Sequence, residues 1–363
     1  MAEDRGLTLV TALFDLATRE GSARRSAQHY LDAAERVLAL DLDLVIYADP
    51  GLAPELERRR ALHGVSAGTV VVPVALEDLR AHRDLAAIED AHRLRPPRGW
   101  NLEKDTPLYA VLQWARFDLV ADAIAHHVGG DGPVALIDLD LPGAPRPDDD
   151  PFAGVPEQLR ALLLCGFSAD IAAERRWFCW DRSSARVAAG FVAGGQAAWT
   201  ALSANVRAEA DAALAQQLAP SDEQLLTLIA AREPAAFAFY PGSHEDILGN
   251  ARSLRSGAAN LALHLRAARS HDGRAPWVGP SATALCTAIV AALDAGELEA
   301  HGEDLARLLD ECFVAAYAPT PEGRDMARRL RDRYLDAVRT DPGARDHFLL
   351  HEVRMRANLA YAD

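Results

Sequence analysis

A chain of 363 residues, half of them hydrophobic, is long enough for one large α/β domain with an appendage or for two domains, and disorder is not its default. A net charge of −15 argues against a general nucleic-acid binder, which needs clustered Lys and Arg against a phosphate backbone. No run approaches the ~18–20 uncharged apolar residues needed to span a bilayer, and the opening Met1-Ala-Glu-Asp-Arg5 has the wrong charge for a signal peptide.

The first run, Leu7 to Phe14, is apolar, partly β-branched and stops at Asp15, which predicts a buried parallel strand. Tyr30, Leu31, Ala34, Val37 and Leu38 follow at helical spacing. Asp43 to Tyr47 predicts a second strand, running into Asp49-Pro-Gly51. A helix over Glu55–Leu62 and a third strand over Thr69–Val74 complete a β-α-β-α-β order, hence a parallel sheet with right-handed crossovers. Beyond a Pro-rich loop at 95–100, a helix is predicted from Pro107 to His127. Asp105-Thr-Pro107 supplies its N-cap candidate and its first-turn proline. Val134 to Ile137 is the fourth strand.

After a turn-rich acidic loop (142–151), Arg176–Asp181 and Val187–Val192 read as short strands and 197–218 as a helix. Ser221-Asp-Glu-Gln224 opens the next helix. From Ile247 onward the pattern is helical: 282–293, 305–316 and 326–338. The expected organisation is a catalytic domain over 1–250 and a helical C-terminal subdomain over 251–363.

The four cysteines (165, 179, 286, 312) lack metal-ligand spacing and are too few for a disulfide framework, so a reducing, cytoplasmic setting is expected. Lys104 is the only lysine among the 38 basic residues.

In doubly wound α/β sheets, ligands sit beyond the carboxyl ends of the strands. The first, second and fourth strands end in acids: Asp15, Asp49, and the pair Asp138 and Asp140. Asp-x-Asp at a strand end brings two carboxylates to one hard cation, Mg²⁺ or Mn²⁺, which shares its remaining positions with substrate phosphates. The pair is weak evidence alone, because Asp41-Leu-Asp43 repeats it at a mere helix-to-strand turn. Arg116 shares an apolar helix face with Tyr109, Leu112 and Val120. A cation there needs an anion, either a phosphate or a structural aspartate.

Short segments of the chain resemble the HtrL/YibB-type family of bacterial glycosyltransferases: Thr8 to Asp15, Lys104 to Tyr109 with Arg116, the strand into Asp138, Val187 to Gly195, Asp222-Glu-Gln224 and Phe239 to Asn250. The resemblance implies a GT-A-like fold, a Rossmann-type mixed sheet flanked by helices, and transfer of a hexosyl or related sugar from a nucleotide diphosphate sugar to an acceptor small molecule, glycan or peptide. On it, Thr11, Ala12 and Asp15 face the nucleoside, Asp49 contacts base or ribose, and Lys104 and Arg116 neutralise phosphate. Gly194 and Gly195 let backbone approach the sugar. Asp138 and Asp140 hold the metal, although the family motif after the strand is commonly Asp-x-Gly; His244 stands where a tyrosine is expected, so its place as a further metal candidate is this chain's own. Asp222 or Glu223 orients the sugar or acts as base. Trp177, Trp180 and Trp199 offer an acceptor platform or core packing.

Two other readings remain open: a nucleotidyl- or phosphotransferase using the same aspartates, and a non-catalytic nucleotide-sugar-binding protein. Neither a nucleic-acid partner nor a membrane span is expected, and an oligomer is compatible with the helical C-terminal third.

Overall fold

The computed structural model describes residues 6–20, 26–65, 68–96, 105–141, 159–163, 187–233, 236–241, 247, 280–296, 301–312 and 321–361. They fall into two compact units, one within 1–144, 152–161 and 174–238, the other within 145–151, 162–173 and 239–363.

In the first unit, β1 (Thr8–Leu13) leads into α1 (Leu16–Glu20), α2 (Ala27–Ala33) and α3 (Glu35–Leu38). Next come β2 (Asp43–Ala48), α4 (Ala53–Leu62) and β3 (Thr69–Pro73). After two 3₁₀ turns follow α5 (Leu85–Leu94), α6 (Pro107–His126) and β4 (Val134–Ile137). The remainder is β6 (Val187–Gly194), α7 (Gln196–Leu214) and α8 (Asp222–Arg232), while β5 (Leu159–Leu163) and β7 (Phe237–Pro241) each have residues in both units.

The sheet runs β3-β2-β1-β4-β6-β5-β7. β1 is parallel to β2 and β4, and β2 to β3, while β6 lies antiparallel to β4. This is the expected α/β architecture, a Rossmann-type mixed sheet flanked by helices. The central strands carry the core: Leu9, Val10, Leu44, Val45, Ile46, Leu136 and Phe191 are buried, as near-continuous apolar runs require when both faces are covered. The antiparallel course of β6 is what makes the sheet mixed.

The turn between α3 and β2, the one holding Asp41-Leu-Asp43, has a builder that its sequence hides. The buried Arg60 guanidinium donates to the carbonyls of Leu38 (2.6 Å), Leu40 (2.5 Å) and Leu42 (2.7 Å), and its Nε donates to Thr69 Oγ1 (2.9 Å).

The second unit contains α9 (Pro280–Ala295), α10 (Gly302–Cys312), α11 (Pro321–Thr340), α12 (Pro342–Leu350) and α13 (Glu352–Tyr361). Leu305, Leu308, Leu309, Met326, Leu330, Tyr334, Ala344 and Met355 form its core. Asp341 caps α12 through the Gly343 N–H (2.8 Å) and also accepts from the Gly302 N–H (2.6 Å). One carboxylate thereby ties the starts of two helices. No helix among the described residues is long and apolar enough to cross a membrane.

Candidate functional site

The winding reverses at β1: β2 and β3 lie on one side of it, β4 and β6 on the other. A crevice at such a reversal, beyond the carboxyl ends of the strands, is where open α/β sheets bind ligands. Register places Val10 opposite Leu136, so Ala12 is level with Asp138. Ala12 and Asp138 lie on the face covered by α6, because Asp138 meets Arg116 and the Tyr47 hydroxyl donates to Asp122 (2.6 Å), and both partners are on α6. Ala12 and Asp138 retain solvent access, and the Asp138 side chain is 31% exposed.

Asp138 stands just after β4, its backbone N–H bonded to the Gly190 carbonyl of β6 (2.9 Å). Asp140 follows in a turn and is half-buried. The Arg116 guanidinium bridges two carboxylates, donating from Nη1 to Asp138 Oδ1 and from Nη2 to Asp222 Oδ2. Burial works against its charge, but the two aspartates outweigh burial and hold its pKa above the ordinary arginine value. The structural aspartate, one of the two anions expected for this cation, is supplied twice, by Asp138 and Asp222.

Asp222 is 2% exposed, and its second oxygen accepts from the Glu223 N–H (2.8 Å). With one oxygen on Arg116 and the other on backbone, it is a counter-ion rather than a base facing substrate; Glu223 beside it is half-buried. Tyr109 lies one turn and more before Arg116 on α6. Burial first, then the nearby Asp222 and Asp138 charges, push its phenol well above the usual range, so it stays protonated.

The acids of β1 and β2 are committed locally. Asp15 caps α1, accepting from Thr18 N (3.0 Å) and Thr18 Oγ1 (2.7 Å). Asp49 accepts from the Asp15 N–H (2.7 Å) and from Arg19 (2.9 Å), which also meets Glu77. Asp49 thus stitches the ends of β1 and β2 together. Arg19 and Glu77 were invisible as site residues in the sequence; the only signal was the i, i+4 spacing of Asp15 and Arg19 on one short helix.

Other expected positions are not brought to this crevice. Thr11 is 1% exposed, on the opposite face of β1 from Asp138, and its hydroxyl has no hydrogen-bond partner among the described residues. Gly194 pairs with Val134 at the amino end of β4, so Gly194 and Gly195 lie at the opposite end of β4 from Asp138, where Gly195 opens α7. Trp199 is buried with its Nε1 on the Val134 carbonyl (2.8 Å), which makes it core rather than platform. Lys104, His244, Trp177 and Trp180 lie outside the described residues.

Among the described residues no group of three or more His, Cys, Asp or Glu side chains is arranged to hold a metal ion. Asp138 and Asp140 offer two carboxylates after β4, of which Asp138 is already bonded to Arg116.

No family model matches the chain and no curated protein matches it, so the HtrL/YibB-type resemblance rests on its short motifs alone. Among solved structures it is similar to the apo crystal structure of mouse xyloside xylosyltransferase 1, at 13% identity and a TM-score of 0.35, over 64% of this chain and 84% of that one.

Proposed function

We propose that this chain is a glycosyltransferase that binds a nucleotide diphosphate sugar in the crevice between β1 and β4 and passes the sugar to an acceptor hydroxyl or other nucleophile. The observation that carries the reading is the Asp138 carboxylate, solvent-accessible at the topological switch point and held there by Arg116.

Charge decides how a diphosphate would enter. Among the described residues the Arg19 guanidinium is shared by Asp49 and Glu77 and that of Arg116 by Asp138 and Asp222, so both cations are already committed to acids. A diphosphate would therefore bring a divalent cation of its own, which Asp138 and Asp140 would hold. When bound, that cation neutralises the charge that builds on the departing nucleoside diphosphate. Arg116 fixes the orientation of the Asp138 carboxylate. Ala12, small and accessible, leaves room beside Asp138 for the donor. Of that pair Glu223, the less buried, would be the one to take a proton from an acceptor.

The test is a thermal-shift panel of nucleotide sugars and nucleoside triphosphates, with and without Mn²⁺. A ligand at 100 times its Kd adds roughly 2.7 kcal/mol of stability, so a genuine donor gives a clear shift. Stabilisation by triphosphates and not by nucleotide sugars would sink the reading in favour of nucleotidyl transfer.

A further inference from the structure

The turn between α7 and α8 is fixed at successive positions. α7 ends in a Schellman motif: Gln217 takes a left-handed φ of 59°, its N–H bonds to the Leu214 carbonyl (2.8 Å), and the Leu218 N–H bonds to the Ala213 carbonyl (3.0 Å). Leu218 packs on Ala213, the apolar contact that accompanies this motif. A non-glycine residue at positive φ is uncommon and costs free energy, so the surroundings hold it there. The next carbonyl, of Ala219, faces the His92 imidazole on α5. The one after it, of Pro220, accepts a buried 2.8 Å hydrogen bond from Trp114 Nε1 on α6. Ser221 and Gln224 then close a reciprocal capping box, and Asp222 begins α8.

A capping box satisfies the first turn of a helix by itself. The Trp114 bond does something else, because Trp114 and Arg116 belong to the same helix. Two residues apart on a helix, they point to different sides of it. One grips the chain just before Asp222 and the other receives the Asp222 carboxylate, so a single rigid element sets both ends of the contact.

We propose that Trp114 is a positioning residue: by holding the Pro220 carbonyl it seats Asp222 against Arg116, and through Arg116 it sets the orientation of Asp138. The proposal rests on the crevice being the donor site. Trp114→Phe keeps an aromatic ring and removes only the donor. Hydrogen exchange at the Arg116 Nη–H groups that donate to Asp138 and Asp222, followed by NMR on the ligand-free protein, is expected to speed up at least about tenfold, because a loosened salt bridge opens more often. With the nucleotide sugar that stabilises the wild type most, kcat is expected to fall by roughly 10- to 100-fold with KM changed less than about threefold, the mark of misplacement rather than lost binding.

Ser221→Ala loosens the same turn from its other side and is expected to reproduce the Arg116 signature, which keeps the test open should the tryptophan variant fail to fold. Unchanged Arg116 exchange in either folded variant overturns the proposal, as does a rise in KM that matches the fall in kcat. A response at Arg116 in a protein that turns over no nucleotide sugar sinks the transferase reading and leaves the positioning role standing.

Discussion

Arg116 lies between Asp138 and Asp222, residues that the sequence separates by 22 and 106 positions from it and that share it in the fold. The geometry makes the two contacts unequal. Asp222 is sequestered, whereas Asp138 keeps one side open to solvent. Removing the cation therefore leaves one buried carboxylate without its counter-charge. Arg116→Met is expected to destabilise the protein by about 3–5 kcal/mol, the usual cost of breaking a buried pair from one side. Adding Asp222→Asn is expected to recover at least half of that loss, because the stranded charge disappears with it. Urea unfolding of the three variants and the wild type closes the cycle; a single-variant loss below 1 kcal/mol would mean that the pair is not coupled.

The metal assignment separates the two strand-end aspartates. Asp138→Asn keeps an oxygen for Arg116 and removes the charge a divalent cation needs. It is expected to abolish the Mn²⁺-dependent part of the nucleotide-sugar thermal shift while leaving the melting temperature of the free protein nearly unchanged. Asp140→Ala is expected to weaken Mn²⁺ binding by roughly tenfold or more, because it removes one of the two carboxylates proposed to hold the cation. Calorimetric titration of Mn²⁺ in the presence of nucleoside diphosphate reads both. Full metal-dependent turnover in Asp138→Asn would remove this carboxylate from the cation's shell.

What could be read from the sequence divides by the range of the interactions. The apolar runs at 7–14, 43–47, 69–74 and 134–137 became β1 to β4 within a residue or two, and the proline after Thr106 marked the start of α6. Those signals are local: burial on both faces leaves a continuous apolar run, and a cap leaves its residue in place. β5 was missed, and the 197–218 helix stops at Leu214 because Gln217 turns left-handed, which no preference of glutamine announces. The reversal of β6 is likewise silent, since a strand buried on both faces looks alike in either direction. At the site, the acids at strand ends were legible as positions and not as partners. Asp15 and Asp49 spend their oxygens on backbone, Thr18 and Arg19, and Asp222 spends its own on Arg116. Only the fold decides which carboxylate is left facing solvent. The position of Gly194 and Gly195 was hidden for the same reason: the direction of β6, not composition, sets them level with the amino end of β4.

The helical unit carries its own pH dependence through Asp341. The N–H groups of Gly302 and Gly343 hold this carboxylate below its ordinary pKa. A carboxylate depressed in the folded state contributes stability above its unfolded pKa, near 3.9, and loses it as the pH falls through the folded value. The melting-temperature gap between wild type and Asp341→Asn is therefore expected to stay constant from neutral pH down to about 5 and to shrink below about 4. A gap that does not change with pH would show that the charge plays no part. The same joint leaves no room at Gly302, where an added Cβ would stand 2.2 Å from Ala344 Cβ and 2.5 Å from Asp341 Oδ2. Gly302→Ala is expected to cost about 1–3 kcal/mol by overpacking.

Thr11 gives a test that bears on the donor site from the other side of the sheet. Its hydroxyl is buried in β1, has no hydrogen-bond partner among the described residues and faces away from Asp138. A buried polar group without a partner costs about 1–3 kcal/mol, and valine has nearly the same shape. Thr11→Val is therefore expected to stabilise the free protein by about 1 kcal/mol and to leave the nucleotide-sugar thermal shift unchanged, since the proposed donor crevice lies on the opposite face, beside Ala12. Chemical denaturation and the same ligand panel measure the two halves. A loss of nucleotide-sugar binding in Thr11→Val would mean that the donor reaches through β1 to this hydroxyl, and the crevice would then have to be drawn on both faces of the strand.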